Sequence, residues 1–352
     1  MESSFTPVSI LAAGCIIPSG PSLPLVDVAE RTRLRLLRWH PSYVDQCGFP
    51  VRLSIFPSSL RAVSRWMELA HAALFDLAGR LPPLVQPHLQ HSEVLLWLAL
   101  PEEGRPGVPI DLAEKMMDTL APRWTQLRLS RGQHTVAAGA ILEASSWVAR
   151  NGHPAIVLAI DTPYDGDTLR WLECNNLLHG ARRAYRGQAR ANPYGRVPGE
   201  GAAAILLAPM DQAGAWCHLI GVAKTRPPTA SPTGTGLSVA ARRALELARV
   251  SASSVTQLMD DANGDADRAD EFGIAVLRLT DYLADNWRRS TPALAAGDLS
   301  SAGFAAHTAL AAWRLRQPAS SAADEFAMVL GSSDDAERAA LVLKSTHQEE
   351  RK

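Results

Sequence analysis

The sequence predicts an α/β fold with helix-covered sheets. Two observations carry this. Apolar runs of strand length alternate with longer segments of helical period along most of the chain. Several of the strands are apolar on both faces, as strands covered on both sides must be. A third observation concerns order: the segment from Cys217 opens as the chain itself opens, with a strand, a turn-rich loop and a helix, so two halves, 1–209 and 210–352, are expected in one compact body.

The elements follow in sequence. Val8 to Ile17 is a buried strand and Pro18 to Pro24 a Pro/Gly/Ser turn. Leu60, Val63, Trp66, Leu69, Ala73, Leu74 and Leu77 recur at three to four residues, which predicts a helix over 60–81. Val94 to Leu100 is a strand and Asp111 to Leu120 a helix. Thr135 to Asn151 is a helix rich in Ala and Gly, open to close approach on several sides, with Gly152 as its terminating residue. Ala155 to Ile160 is a strand, Thr168 to Leu178 a helix, His179 to Pro193 a polar loop, Gly201 to Leu207 a strand, and Pro209 to Ala215 a link. The second half reads as strand Cys217–Ala223, loop Thr225–Gly236, helix Leu237–Val250, strand Val255–Met259, a mostly helical stretch Ala266–Asn286, helix Ala302–Arg316, strands Phe326–Leu330 and Ala339–Leu343, and a polar tail from His347.

Composition excludes several functions. The 352 residues carry a net charge of −1 and 20% charged side chains, so no global field draws nucleic acid or an anionic membrane. No apolar run approaches the ~20 residues of a membrane span. Cys15, Cys47, Cys174 and Cys217 form no CxxC pair, which argues against a zinc site or disulfide framework and fits a reducing, cytoplasmic setting. ILAAGC (10–15) has the look of a lipoprotein box but follows Glu2 instead of a basic segment. His88 and His91 stand three apart without a third ligand, so neither metal nor cofactor is expected.

Three segments carry chemistry: YGRVPGEGAAAILLAP (194–209), MDDANGDADRADEF (259–272) and ALAAGDLSSAGFAAHTALAAW (293–313). In order and spacing they resemble the β-ketoacyl synthases of the thiolase superfamily. The resemblance spans about Ser9 to Lys344 and is strongest after Leu158. It implies a thiolase-like five-layer α-β-α-β-α body built from two pseudo-repeated halves. It also implies a site of one Cys, two His and a Lys, which this sequence does not supply. Counting back from Gly152 places the nucleophile near Thr135, within LSRGQHTVAAG; Gln133 is the other candidate equivalent, since some relatives carry Gln there. Asn263 takes the position of the first His, Asp298 that of the second, and the Lys falls near Ala293. The GFGG-type closing loop is replaced by Gly331-Ser332-Ser333-Asp334-Asp335.

Gln133, His134, Thr135, Asn263 and Asp298 are therefore expected to line a vestigial pocket without condensing activity, although a His134–Asp298 pair could make a general base. Arg182, Arg183, Tyr185, Arg186 and Arg190 form a basic stretch suited to an acidic partner. The resemblance implies a homo- or heterodimer with a second thiolase-like chain, paired through a strand near Ala155–Ile160 or a neighbouring one. It offers two roles without catalysis. The first, favoured by the missing GFGG-type loop and the short chain, is a protein-binding adaptor or chaperone, as in bacterial type VI secretion effector loading. The other is a chain-length-factor-like or decarboxylating partner of an active synthase that works with an acyl carrier protein.

Overall fold

The computed structural model describes residues 5–82, 94–122, 124, 126–210, 212–228, 231–317 and 325–346; His88, His91 and the tail from His347 lie outside them. The first half of the chain forms β1 (Val8–Ile16), α1 (Leu23–Thr32), β2 (Arg38–Val44), β3 (Pro50–Leu53), α2 (Ala62–Ala78), β4 (Leu95–Pro101), α3 (Leu112–Leu120), β5 (Gln126–Gly132), α4 (Val136–Asn151), β6 (Ala155–Asp161), α5 (Gly166–Cys174), β7 (Arg182–Tyr185), β8 (Gln188–Ala191) and β9 (Gly201–Ala208). Then come β10 (Cys217–Thr225), α6 (Thr235–Ala248), β11 (Val255–Met259), α7 (Ala266–Leu279), β12 (Leu283–Ser290), α8 (Ala293–Ala296), α9 (Gly303–Leu315), β13 (Phe326–Ser332) and β14 (Arg338–Ser345).

Ten strands form one mixed sheet in the order β12-β11-β13-β14-β10-β1-β9-β6-β4-β5. Its two five-stranded parts repeat one pattern. β1-β9-β6-β4-β5 and β10-β14-β13-β11-β12 each run antiparallel, antiparallel, parallel, parallel from the inner strand outward. They meet where β1 pairs antiparallel with β10, through Val8–Leu219, Ser9–His218 and Ile10–Cys217. The helices complete five layers. α2 covers β1, β6 and β9 outside; α6 covers β10, β13 and β14 outside with α7 beside it; α4 and α9 lie between, touching strands of both parts.

Small residues make this stacking possible. A Cβ on Gly14 of β1 would stand 2.3 Å from the Ala73 carbonyl of α2, and one on Gly221 of β10 would stand 2.3 Å from the Ala244 carbonyl of α6. Each half thus uses one glycine in its inner strand to seat its outer helix against the backbone. α9 is buried almost all round, through Ala305, Ala306, Ala309, Ala311 and Ala312, as a central layer demands. Ile10, Leu98, Leu158 and Leu206 are fully enclosed, each contributing about 1.5–3 kcal/mol.

Several sequence readings need correction. β6 is flanked by β9 and β4, so the strand at Ala155–Ile160 is interior and cannot pair with a second chain. Among the described residues the edge strands of the sheet are β5 and β12. β12 begins at Leu283 inside the stretch read as helix, and the loop 179–193 contains the β7–β8 hairpin. β2 and β3 form a further hairpin that the sequence did not announce. Among the described residues no helix is long and apolar enough to cross a membrane.

Candidate functional site

The site lies where the mouth of α4 meets the loop before α9. That loop is fastened to the GRVPGEG segment: Asp298 N donates to Val197 O at 2.8 Å and Gly199 N to Asp298 O at 2.9 Å. Glu200 then ties two loops and α2 together from one buried carboxylate. It accepts from Phe56 N at 2.6 Å, from Arg65 Nε at 2.7 Å and from the Thr162 hydroxyl at 2.7 Å. The local fold therefore delivers Asp298 to a fixed point below α4.

Asp298 is the hub. Its carboxylate accepts from His134 Nε2 at 3.1 Å, from Asn263 Nδ2 at 3.1 Å and from Ser300 N at 3.1 Å, with Arg196 Nε 3.6 Å away. Burial alone would raise this carboxyl, but His134, Arg196 and Arg268 hold it well below the usual carboxylate range. Arg196 and Arg268 both donate to Asp334, at 2.5 and 2.9 Å, and Arg268 also donates to Asp261 at 3.1 Å. Burial pushes the Asp261 carboxyl up, against the pull of Arg268. On the opposite wall Arg105 grips Asp161 with two bonds of 2.6 and 2.7 Å and donates to Ser300 Oγ at 3.1 Å.

The remaining mouth residues are bound to the β13–β14 turn. Gln133 donates to Glu102 at 3.2 Å and accepts from Asp335 N at 3.0 Å. Thr135, 1% exposed, donates its hydroxyl to Glu337 at 2.6 Å, and both its backbone N and its hydroxyl meet Ser333 Oγ. Of the five residues expected at a vestigial pocket, His134, Asn263 and Asp298 are thus joined directly, while Gln133 and Thr135 turn to the 333–337 segment. Ala293 lines the inner part of the same cleft, beside His307.

Arg105, Asp161, Arg196, Arg268, Ser300 and Asp334 complete the site and were not singled out from sequence. Arg196, Arg268 and Ser300 sit inside the motifs already quoted, where an unexplained Arg or Ser was the available signal; Arg105 has none. No cysteine lines the cleft among the described residues. Cys15 and Cys217 lie inside strands, where burial pushes both thiols up. The outer cleft is walled by Pro163, Trp171, Leu172 and Pro198. Chemically, the guanidiniums are spent on carboxylates, and Asp298 occupies with negative charge a point where an oxyanion would be repelled.

The basic stretch divides in two. Arg182 N donates to Asp45 at 2.6 Å while its guanidinium lies 4.3 Å over Phe49, and Arg183 donates to Glu173 O. Arg186 and Arg190 lie 5.5 and 5.2 Å over Tyr185, exposed and without a carboxylate partner among the described residues.

No protein-family model and no curated protein sequence matches the chain. Solved structures do. The ketosynthase from module 6 of the bacillaene synthase of Bacillus subtilis 168 superposes with a TM-score of 0.75 at 10% identity, covering 97% of this chain and 72% of that one. A type II polyketide synthase acyl carrier protein in complex with its hexaketide-bound ketosynthase gives a TM-score of 0.75 at 14% identity, covering 96% and 99%. A ketosynthase in complex with its chain length factor from Xenorhabdus doucetiae gives 0.73 at 14% identity, covering 98% and 100%. The fold is that of the thiolase-like ketosynthases and chain length factors.

Proposed function

We propose that the chain is a chain-length-factor-like partner of an active ketosynthase and forms no carbon–carbon bond itself. The observation that carries this reading is the state of the mouth of α4. Thr135, at the counted nucleophile position, is buried and fully bonded, and the position of the second His holds the carboxylate Asp298 inside an ion network. Thiol attack and oxyanion stabilisation both lack their groups there. Structural neighbours that are ketosynthases bound to a chain length factor or a carrier protein support a pairing role. None of these neighbours supports the secretion-adaptor reading.

The partner chain would add to β5, which among the described residues pairs only with β4 and so offers a sheet edge. The knuckle of Tyr185, Arg186 and Arg190 would face the acidic carrier protein. The test is to isolate the tagged chain from its host and determine by native mass spectrometry what accompanies it, then assay condensation by the chain alone and by the complex. The expected result is a heterodimer with a cysteine-bearing thiolase-fold chain, with condensation only in the complex. Condensation by the purified chain alone, or repeated recovery of a homodimer only, overturns the reading.

A further inference from the structure

We propose that the outer surfaces of the β2–β3 and β7–β8 hairpins form one docking surface for an acidic protein segment. The inference deepens the reading above and rests on it only in taking the partner to be an acidic protein. To the tip of β7–β8 it adds a second, aromatic half on β2–β3. Both hairpins stand outside the ten-stranded sheet, each as a two-stranded sheet of its own. They join at one place: Arg182 N donates to Asp45 at 2.6 Å, and the Arg182 guanidinium lies 4.3 Å over Phe49. Val51 and Leu53 of β3 pack with Leu169 and Leu172 of α5, which seats β2–β3 on the body.

Charge is the first argument. Segments 38–53 and 182–191 hold six Arg and a single carboxylate, Asp45. Asp45 is 4% exposed and spent on backbone donors, the N atoms of Cys47, Phe49 and Arg182. What the hairpins present outward is therefore cationic, in a chain whose net charge is −1. Arg183 and Arg190 occupy directly opposite positions in β7–β8, a like-charge pair that works against the hairpin itself. Arg52, Arg186 and Arg190 are exposed and have no carboxylate partner among the described residues.

The rings are the second argument. Trp39, Phe49 and Tyr185 are 53%, 42% and 52% exposed, and large apolar groups gathered on one exposed surface mark an interaction site. Each lies under a guanidinium. Arg52 stands directly opposite Trp39 and 4.2 Å over its ring, Arg182 covers Phe49, and Arg186 and Arg190 lie over Tyr185. Stacking uses the flat side of a guanidinium and leaves its N–H edge for a carboxylate, which can take it with two bonds. Trp, Tyr and Arg are also the residues that carry most binding energy between proteins. A polyphosphate would meet the same cations, but a chain of net charge −1 draws it with no long-range field. The surface thus fits a segment whose carboxylates meet Arg52, Arg186 and Arg190 while its apolar side chains rest against Trp39 and Tyr185.

The test uses the full chain and a fluorescein-labelled peptide of glutamates and aspartates interrupted by leucines, followed by anisotropy at low salt, with labelled oligothymidylate in parallel. The expected result is that the peptide binds more tightly than the oligonucleotide and is released by salt. Trp39→Ser with Arg52→Glu, and separately Arg186→Glu with Arg190→Glu, should each weaken the peptide about tenfold or more. Folding is checked by circular dichroism, and Arg52→Glu alone serves if the first pair unfolds the hairpin. Undiminished binding in the folded β2–β3 variant overturns the proposal; loss in the tip variant alone then leaves docking at the tip, as in the reading above. No binding by the unmodified chain, or tighter binding of oligothymidylate, also overturns it. Pairing with a ketosynthase is read separately by native mass spectrometry, so the two can fail independently.

Discussion

The two halves of the molecule place a loop and a central helix at the same point in their topology, yet the two mouths are built for opposite ends. At the first, between β5 and α4, Gln133 is held by Glu102 and Asp335, and Thr135 by Ser333 and Glu337. At the second, between β12 and α9, Asp298 gathers His134, Asn263 and Ser300 N, while Ser300 itself has a left-handed backbone and is partly exposed. Repetition of a fold therefore does not repeat a function. The first mouth works as a lock between halves and the second as a presenting edge. What separates them is how completely their polar groups are satisfied.

The strongest way to break the comparison is to remove the hub. Asp298→Ala leaves His134, Asn263 and the charge of Arg196 without their acceptor in a buried setting, and should destabilise the fold by about 3–5 kcal/mol in chemical denaturation. A loss no larger than that of a surface substitution would mean the mouths are not coupled through it. The sign with pH follows from its depressed carboxyl. The contribution is complete above the unfolded value of about 3.9 and is lost as pH falls towards the folded one. Asp298→Asn should therefore flatten the acid limb of the stability curve.

His307, buried in α9 beside this network, behaves differently. Burial lowers its pKa from 6.5 to about 4, with Asp298 opposing and His134 assisting. Since the unfolded ring accepts a proton first, stability is complete above pH 6.5 and declines as pH falls towards 4. The loss is up to about 3 kcal/mol. Urea midpoints at pH 7 and pH 5 should differ in the unmodified chain and converge in His307→Gln.

A smaller effect is expected at the seam between the mouths. A Cβ on Gly199 would stand 2.1 Å from the Ala296 carbonyl, and the obstruction is backbone on both sides. Gly199→Ala should cost about 1–3 kcal/mol and loosen the loop that carries Asp298, measurable as faster hydrogen exchange at 297–303. Unchanged exchange would show that the loop is held by its side chains alone.

The sequence made the interior of this fold legible and left its margins dark, for one physical reason. β1, β6 and β9 are apolar on both faces because both are covered, and α4 and α9 are rich in Ala because backbones approach them. Among the described residues β5 and β12 pair on one side only, and they carry Arg128, Arg131, Asp285 and Arg288, so neither shows a clean period. In the site, motif positions brought out Asn263 and Asp298. Their partners Arg105, Arg196 and Asp334 come from three separate loops, and only the closure of the fold over α4 unites them.

The smallest effect on stability, and the sharpest division within a single element, is expected in the β7–β8 hairpin. Its base is structural, since Arg182 covers Phe49 and Arg183 reaches Glu173 O. At its tip Arg186, at φ 47°, and Arg190 both lie over Tyr185, with no carboxylate partner among the described residues. Arg186→Glu with Arg190→Glu should leave stability within about 0.5 kcal/mol of the unmodified chain. If the tip meets an acidic protein, the same double change should weaken that complex and remove most of its dependence on salt, because unpaired surface cations act through long-range steering. Arg182→Ala should do the reverse, lowering the melting temperature while leaving the salt dependence intact. A tip variant that unfolds the protein, or a complex indifferent to it, would assign the whole hairpin to the scaffold.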